Sequence, residues 1–317
     1  MERWAALIEW HTLDLPLFGS EIKCLAKVVI GDRDAKGAED VVTEISQTRG
    51  VATFAPCDVL NWDSQVNLFE LAIKQYGSVD IVFPCAGVTE LNPICDGNVE
   101  LKDGRPVPPN LRTLDINLTA VLHTVHLALY YFKKNRGEGD WKALILIGSM
   151  ASWQAIPGGP QYSASKHAIL GLMRSLWPVV SQDNIRISVI HPWYTDTAII
   201  VPELKVLLAG IPLTPIARVA GAVFRSATDP DPATSGLPWV LPDDGPVLLL
   251  PREVLNTGVY GMVNRRVERI KSFAESCKLV ASTTRDLWSI FGQGITFAAT
   301  LGSIAYFVFK KSNALAI

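Results

Sequence analysis

Three side chains of this chain stand at spacings that could do redox chemistry on an alcohol: the phenol of Tyr162, the ammonium of Lys166 and the hydroxyl of Ser149. Tyr162 and Lys166 are four residues apart, so on a helix they share one face. Moving a hydride to or from a carbinol carbon needs a partner that gives or takes the hydroxyl proton. A free tyrosine, with a pKa of about 10, is a poor base at neutral pH. A nearby ammonium favours the phenolate and brings that pKa toward the working range. Ser149 lies thirteen residues before Tyr162, just after the apolar run 144–147, where its hydroxyl can hold a substrate oxygen.

The Tyr-x-x-x-Lys spacing is cheap by itself. Tyr130 with Lys134 and Tyr306 with Lys310 match it equally well. Tyr130 has no serine thirteen residues earlier, and Tyr306 sits in an apolar tail, so both read as structural or interfacial residues. The strand, serine and helix around Tyr162 are what distinguish it.

The elements that must position these groups alternate along the chain. Strands are expected at 28–30, 51–54, 79–83, 143–147 and 185–190. Helical patterns fall between them, through Val41, Val42 and Ile45, through Val66 to Ala72, over 111–132 and over 161–180. The unbroken apolar run 143–147 reads as a strand covered on both faces. Strands alternating with helices of this length imply βαβ units, hence an α/β fold with a doubly wound parallel sheet. Ligands bind such a sheet at the carboxyl ends of its strands, which is where Ser149 falls. The stretches 96–110 and 229–246 read as polar, Pro/Gly-bearing loops.

Composition narrows the partners. The 317 residues are 49% hydrophobic and 19% charged with a net charge of −2, so no basic surface argues for nucleic acid. Five scattered cysteines, with no C-x-x-C, disfavour a disulfide framework and a zinc site and suit a reducing compartment. The N-terminus lacks the pattern of a secretory signal.

With these motifs in view, the chain resembles the short-chain dehydrogenases/reductases from about residue 28 to residue 250. The resemblance rests on the Tyr162/Lys166 pair, Ser149 after its strand, Ser163-Ala164-Ser165 inside the motif, Asn117 in Leu114-Asp115-Ile116-Asn117, and Ala86-Gly87 after the fourth strand. It implies a Rossmann-like fold in which Tyr162 is the acid/base, Lys166 tunes it, Ser149 holds the substrate oxygen and Asn117 supports a proton relay. It also implies a nicotinamide cofactor. Asp32 would bond the adenosine ribose and favour NAD, although Arg33 beside it could meet the 2′-phosphate of NADP. Asp58 and Val59 would flank the adenine, and Ala86 and Gly87 would line the same site. In the segment 191–197, Thr195 and Thr197 would bond the nicotinamide amide and the diphosphate, while Trp193 replaces the family's glycine. His191, beside this segment, reads as a structural residue. The stretch 241–246 and the tail are similar to fungal members near the 15-hydroxyprostaglandin dehydrogenase branch, many of which tailor secondary metabolites.

The resemblance breaks in two places. The family opens with a strand and a glycine-rich turn whose backbone meets the cofactor diphosphate at a helix N-terminus. Here residues 5–9 can form the first strand, but residues 10–20 carry one glycine, a proline and an acidic residue where the phosphates should rest. Pro84-Cys85 also stands where the family has two asparagines. A misread exon, weak cofactor binding through the remaining contacts, and a scaffold that has left redox chemistry are three competing explanations.

At the other end, residues 287–309 carry no charged side chain and precede Lys310-Lys311. About 20 such residues span a bilayer as a helix. Gly294, Ala298 and Gly302 form a small-residue stripe, with Trp288 and Tyr306 near the ends. Arg265, Arg266, Arg269, Lys271, Lys278 and Arg285 before it suit a cytosolic main domain. The competing expectation is an apolar helix packed in a protein interface.

The expected organisation is therefore a catalytic domain over 1–270 with an atypical first βα unit over 1–26, a basic connector over 271–286, and a hydrophobic helix over 287–309 that anchors to a membrane. The expected activity is NAD(P)-dependent interconversion of a secondary alcohol and a ketone. Apolar residues within 198–215, such as Ile199, Ile200, Leu204 and Leu208, would cover a lipophilic small-molecule substrate. Resemblance also implies a homo-oligomer built through the helices bearing Asn117 and Tyr162. The contrasting expectation is a non-redox protein on the same scaffold, an isomerising or pericyclic catalyst or a binding protein.

Overall fold

The structure is a computed structural model. It describes residues 5–9 and 26–252, apart from 93, 95–96, 98, 135–136, 138–140, 155, 196, 198–199, 201–204, 207 and 244, together with helical positions between 266 and 292. The chain divides into two compact units, Met1–Arg252 and Glu253–Ile317.

In the first unit the chain runs β1 (Ala5–Glu9), β2 (Lys27–Asp32), α1 (Ala35–Gln47), β3 (Val51–Pro56), α2 (Trp62–Tyr76) and β4 (Ile81–Pro84). A short hairpin, β5 (Leu101–Lys102) and β6 (Arg105–Pro106), precedes α3 (Arg112–Leu114), a π-helical turn (Asp115–Ala120) and α4 (Val121–Lys134). Then come β7 (Lys142–Ile147), α5 (Pro160–Val180), β8 (Ile185–Pro192), α6 (Ile216–Thr228), β9 (Pro238–Leu241) and β10 (Leu248–Leu249). The main sheet has the order β10-β9-β8-β7-β4-β1-β2-β3, parallel throughout except for the β9–β10 edge pair. This is the expected α/β, doubly wound parallel architecture. The strand order reverses between β1 and β4, and the residues just past those strands open onto the crevice where an open α/β sheet takes its ligand.

The apolar strands are explained by what covers them. In β7, Leu144 and Leu146 face a core with Phe69, Ile169, Met173 and Val189, while Ala143 and Ile145 face a second core with Val28, Ile30, Phe83, Ile190 and Val219. Both faces are dry, so the strand reads as continuous rather than alternating. Asp34 caps α1 through the amide of Gly37, and Asn61 caps α2 through that of Ser64. At the foot of the sheet Lys142 is buried and meets Asp80 at 2.6 Å.

Three expectations need correction. The stretch 229–246 contains β9, four buried residues paired in parallel with β8. A proline can open a strand, where its missing N–H is least costly, and this strand is too short to show a period. The stretch 96–110 contains the β5–β6 hairpin, turned by Asp103 and Gly104 at φ of 53° and 74°. The helix expected over 111–132 is interrupted by the π turn, which adds a residue to one turn and rotates α4 relative to α3. Among the described residues no helix is long and apolar enough to cross a membrane. The apolar helix expected over 287–309 lies outside them except for Trp288, Ser289 and Gly292, and residues 10–25 lie outside them altogether.

Candidate active site

Ser149 is set by the end of β7. It begins a short helical turn, Met150–Ser152, and its Oγ accepts from the Ala151 amide at 3.1 Å. Ser152 Oγ in turn donates to the Lys166 carbonyl at 2.8 Å, joining this turn to α5. Behind Ser149 lies His191 at the end of β8, fully buried, its ring 4.2 Å from that of Trp153. Gly148 is required here, because a Cβ would collide with the His191 imidazole and come within 2.8 Å of a Val189 methyl.

The helix α5 carries Tyr162 and Lys166 on one face, as the spacing predicts. The Lys166 ammonium lies 5.6 Å from the centre of the Tyr162 ring and donates to the Ile147 carbonyl at 3.1 Å. Burial drives the electrostatics. It lowers the Lys166 pKa to about 8, with Cys85 pulling the other way. It pushes the Tyr162 phenol above its ordinary value, against a hydrogen bond with the Ser149 side chain that lowers it, while Tyr194 adds to the rise. Dehydration therefore dominates at the phenol and favours its protonated form. Burial also lowers the His191 pKa to about 3, so that ring is neutral.

Asn117 sits in the π turn and is buried. Its Oδ1 accepts from the Val88 amide and its Nδ2 donates to the Val88 carbonyl, each at 2.8 Å, with Ser165 Oγ at 3.4 Å. The side chain thus latches the loop after β4 onto the helix layer beside α5.

The remaining expected residues, apart from Thr195 and Thr197, gather at the carboxyl ends of β2, β3 and β4. A cleft there is lined by Gly31, Arg33, Asp58, Val59, Ala86 and Arg112, among others. It opens at the strand ends where an open α/β sheet takes its ligand, and it holds two arginines. Asp32 ends β2 as expected but is turned inward, Oδ1 accepting from the Asp34 amide at 2.8 Å. Gly87 follows Ala86, and a Cβ on it would press on Asn117 Oδ1 at 3.3 Å. Thr195 and Thr197 follow β8, their hydroxyls donating to the carbonyls of Trp193 and Thr195 at 3.4 and 3.3 Å.

Two residues join the site that the sequence did not single out. Glu90 Oε2 accepts from the Tyr162 amide at 2.8 Å, and Gln161 Nε2 donates to the carbonyls of Asn92 and Asn110 at 2.7 and 2.9 Å. All three contacts join residues at least 51 apart, so no local pattern marks them.

Residues 22–205 match the family described as short chain dehydrogenase. The chain belongs to this family. The match begins after the stretch that lacks the glycine turn, in keeping with the departure seen in the sequence. Among curated short-chain dehydrogenases, the chain is 28% identical to 5′-hydroxyaverantin dehydrogenase of Dothistroma septosporum over 193 residues, 57% of this chain and 63% of that protein. It is 30% identical to short-chain dehydrogenase/reductase ascJ of Acremonium egyptiacum over 213 residues, 64% of this chain and 67% of that protein. The chain therefore spans about two thirds of the length of these relatives. A solved structure, 3-ketoacyl-(acyl-carrier-protein) reductase from Brucella melitensis complexed with NADH, superposes with a TM-score of 0.63 at 23% identity, covering 76% of this chain and 97% of that one. That likeness shows the fold.

Proposed function

We propose that this short-chain dehydrogenase interconverts a secondary alcohol and a ketone on a lipophilic small molecule, with a nicotinamide dinucleotide as hydride carrier. The observation that carries the reading is the assembly of Ser149, Tyr162 and Lys166 at the carboxyl edge of β7, with Lys166 buried and the phenol bonded to the serine. Ser149 would hold the substrate oxygen. Tyr162, kept protonated by burial, would give its proton to that oxygen during carbonyl reduction and take it back during alcohol oxidation. Lys166 would orient the phenol and pass protons toward the Asn117 region. The dinucleotide, when bound, supplies or accepts the hydride. Its adenosine would lie in the cleft of Arg33, Asp58, Val59, Ala86, Gly87 and Arg112. Arg33 and Arg112 on that wall, with Asp32 drawn onto its own turn, favour NADP over the NAD expected from sequence. Thr195 and Thr197 stand at the carboxyl end of β8, where the nicotinamide half would lie.

Ile200 and Leu208, both buried, support an apolar cover over the substrate. The names of the fungal relatives support a place in secondary metabolism. A homo-oligomer through the helices of Asn117 and Tyr162 rests on family resemblance, and membrane anchoring by 287–309 on composition.

The second reading, a non-redox protein on this scaffold, is favoured by the missing glycines between residues 10 and 20. Titration of the full chain in mild detergent with NADPH and NADH, followed by fluorescence, separates the two. The redox reading expects saturable binding and Tyr162-dependent oxidation of NADPH with the diketone probe phenanthrenequinone. A folded chain that neither binds nor oxidises the dinucleotide is a non-redox protein.

A further inference from the structure

We propose that Glu90 is a positioning residue for the phenol of Tyr162, anchoring the first turn of α5 so that Tyr162 keeps its register against Ser149. The inference rests on the oxidoreductase reading above.

The first turn of α5 has no side-chain cap of its own. Its N-cap is Gly159, which has no side chain to accept a bond, and its first residue is Pro160, which has no N–H. The amide of Tyr162 is left to be satisfied from outside the helix, and Glu90 Oε2 does so at 2.8 Å. A carboxylate at this place is favoured by the positive end of the helix dipole, and a charged acceptor shortens and strengthens the bond. The other oxygen, Oε1, is buried and meets no hydrogen-bond partner among the described residues. That oxygen is thus shielded from water, although Glu90 as a whole is only half-buried.

Glu90 is also the centre of a clamp. Before it in the chain Val88 is held at both its amide and its carbonyl by Asn117. After it Leu91 donates to Thr113 Oγ1 at 3.1 Å, and the Asn92 carbonyl accepts from Gln161 at 2.7 Å. One short segment therefore ties the π turn and α3 to the first turn of α5. Tyr162 lies within that first turn, whereas Lys166 lies one turn deeper. The dinucleotide cleft is lined by Val88, Arg112 and Ile116 of the clamped elements but by no residue of α5 and not by Glu90, and Val88 is held by Asn117 without Glu90. Releasing Glu90 should therefore displace the phenol more than the cleft.

The test compares Glu90→Ala and Glu90→Gln in the full chain, with NADPH and phenanthrenequinone. Glu90→Ala is expected to lower kcat by about tenfold to a hundredfold, as small displacements of a reacting group do, with dinucleotide affinity held. Glu90→Gln keeps an acceptor for the Tyr162 amide and is expected to recover most of that loss. An unchanged kcat in Glu90→Ala overturns the proposal, as does an equal loss in both variants or a loss of dinucleotide affinity matching that of kcat. An amide spectrum of the isotope-labelled chain reports independently of turnover. The Tyr162 amide resonance should shift in Glu90→Ala and stay near the parent's in Glu90→Gln, and a resonance indifferent to Glu90→Ala overturns the proposal. If the parent chain turns over no probe while the resonance shifts in Glu90→Ala, the oxidoreductase reading fails and the Glu90 anchor stands.

Discussion

His191 grips the backbone of Ser149: its Nδ1 is 3.0 Å from the Ser149 carbonyl oxygen and 3.3 Å from the Ser149 nitrogen. With its proton on Nδ1 the ring donates to the carbonyl, and in the other tautomer it accepts from the amide. Either way its contact is with the main chain of Ser149, and burial keeps it neutral at physiological pH. The histidine beside the reacting groups is thus a support for the serine and not a general base.

That neutral ring makes acid stability depend on pH. The folded pKa of His191, about 3, lies below the unfolded value of about 6.5. The unfolded chain therefore binds more protons between these values, and stability present above pH 6.5 is lost as pH falls toward 3. One such group removes about 2 kcal/mol between pH 7.5 and pH 5 by this linkage. Urea midpoints measured over that range should fall, and His191→Gln should flatten the dependence. A variant with the parent's slope would assign the acid sensitivity elsewhere.

Tyr162→Phe keeps the ring and removes the proton. With NADPH and phenanthrenequinone, kcat is expected to drop by about a hundredfold or more, the usual scale for a lost general acid. Dinucleotide binding should stay close to the parent's, measured by the same fluorescence titration. Retained turnover would move the acid to another group.

Gly148→Ala would drive a methyl group into His191 and Val189. Both belong to a dry, packed region, so the collision should cost about 1–3 kcal/mol of stability. Because Ser149 is the next residue, kcat should fall as well. Thermal melting and turnover measured on one preparation check both effects.

The buried pair at the foot of the sheet is expected to matter for folding alone. Lys142 is 1% and Asp80 14% exposed at the side chain. Asp80→Ala leaves an ammonium in the core and should cost about 3–5 kcal/mol, whereas adding Lys142→Met should restore much of it. Denaturant unfolding of the single and double variants measures this. A double variant as unstable as the single one would argue against a charge effect.

The features legible in the sequence are those with a local cause. The run 143–147 announces a strand buried on both faces, and the apolar spacing of α5 announces the face that carries Tyr162 and Lys166. The ends of β2, β4 and β7 then bring Arg33, Ala86 and Ser149 to one edge of the sheet, as alternating strands and helices require. The hidden features were set by distance along the chain. β9 is four residues long and opens with proline, so its strand character comes from pairing with β8. Glu90 acts on a helix 72 residues away. The electrostatic order also depends on burial, which spacing does not reveal. A lysine one turn from a tyrosine suggests a lowered phenol, yet in this site burial raises the phenol and lowers the lysine.

The position of β1 has a further consequence. This strand alone joins β2 to β4, pairing with both along its length. The half of the sheet that carries Arg33 and Asp58 is stitched through it to the half that carries Ser149 and Tyr162. A transcript lacking residues 1–9 would therefore lose a seam between two half-sites and expose two bare strand edges, each a template for pairing with another chain. Such a product should be sticky as well as inactive, and a synthetic peptide of the first nine residues, supplied in trans, is the natural candidate to close the gap.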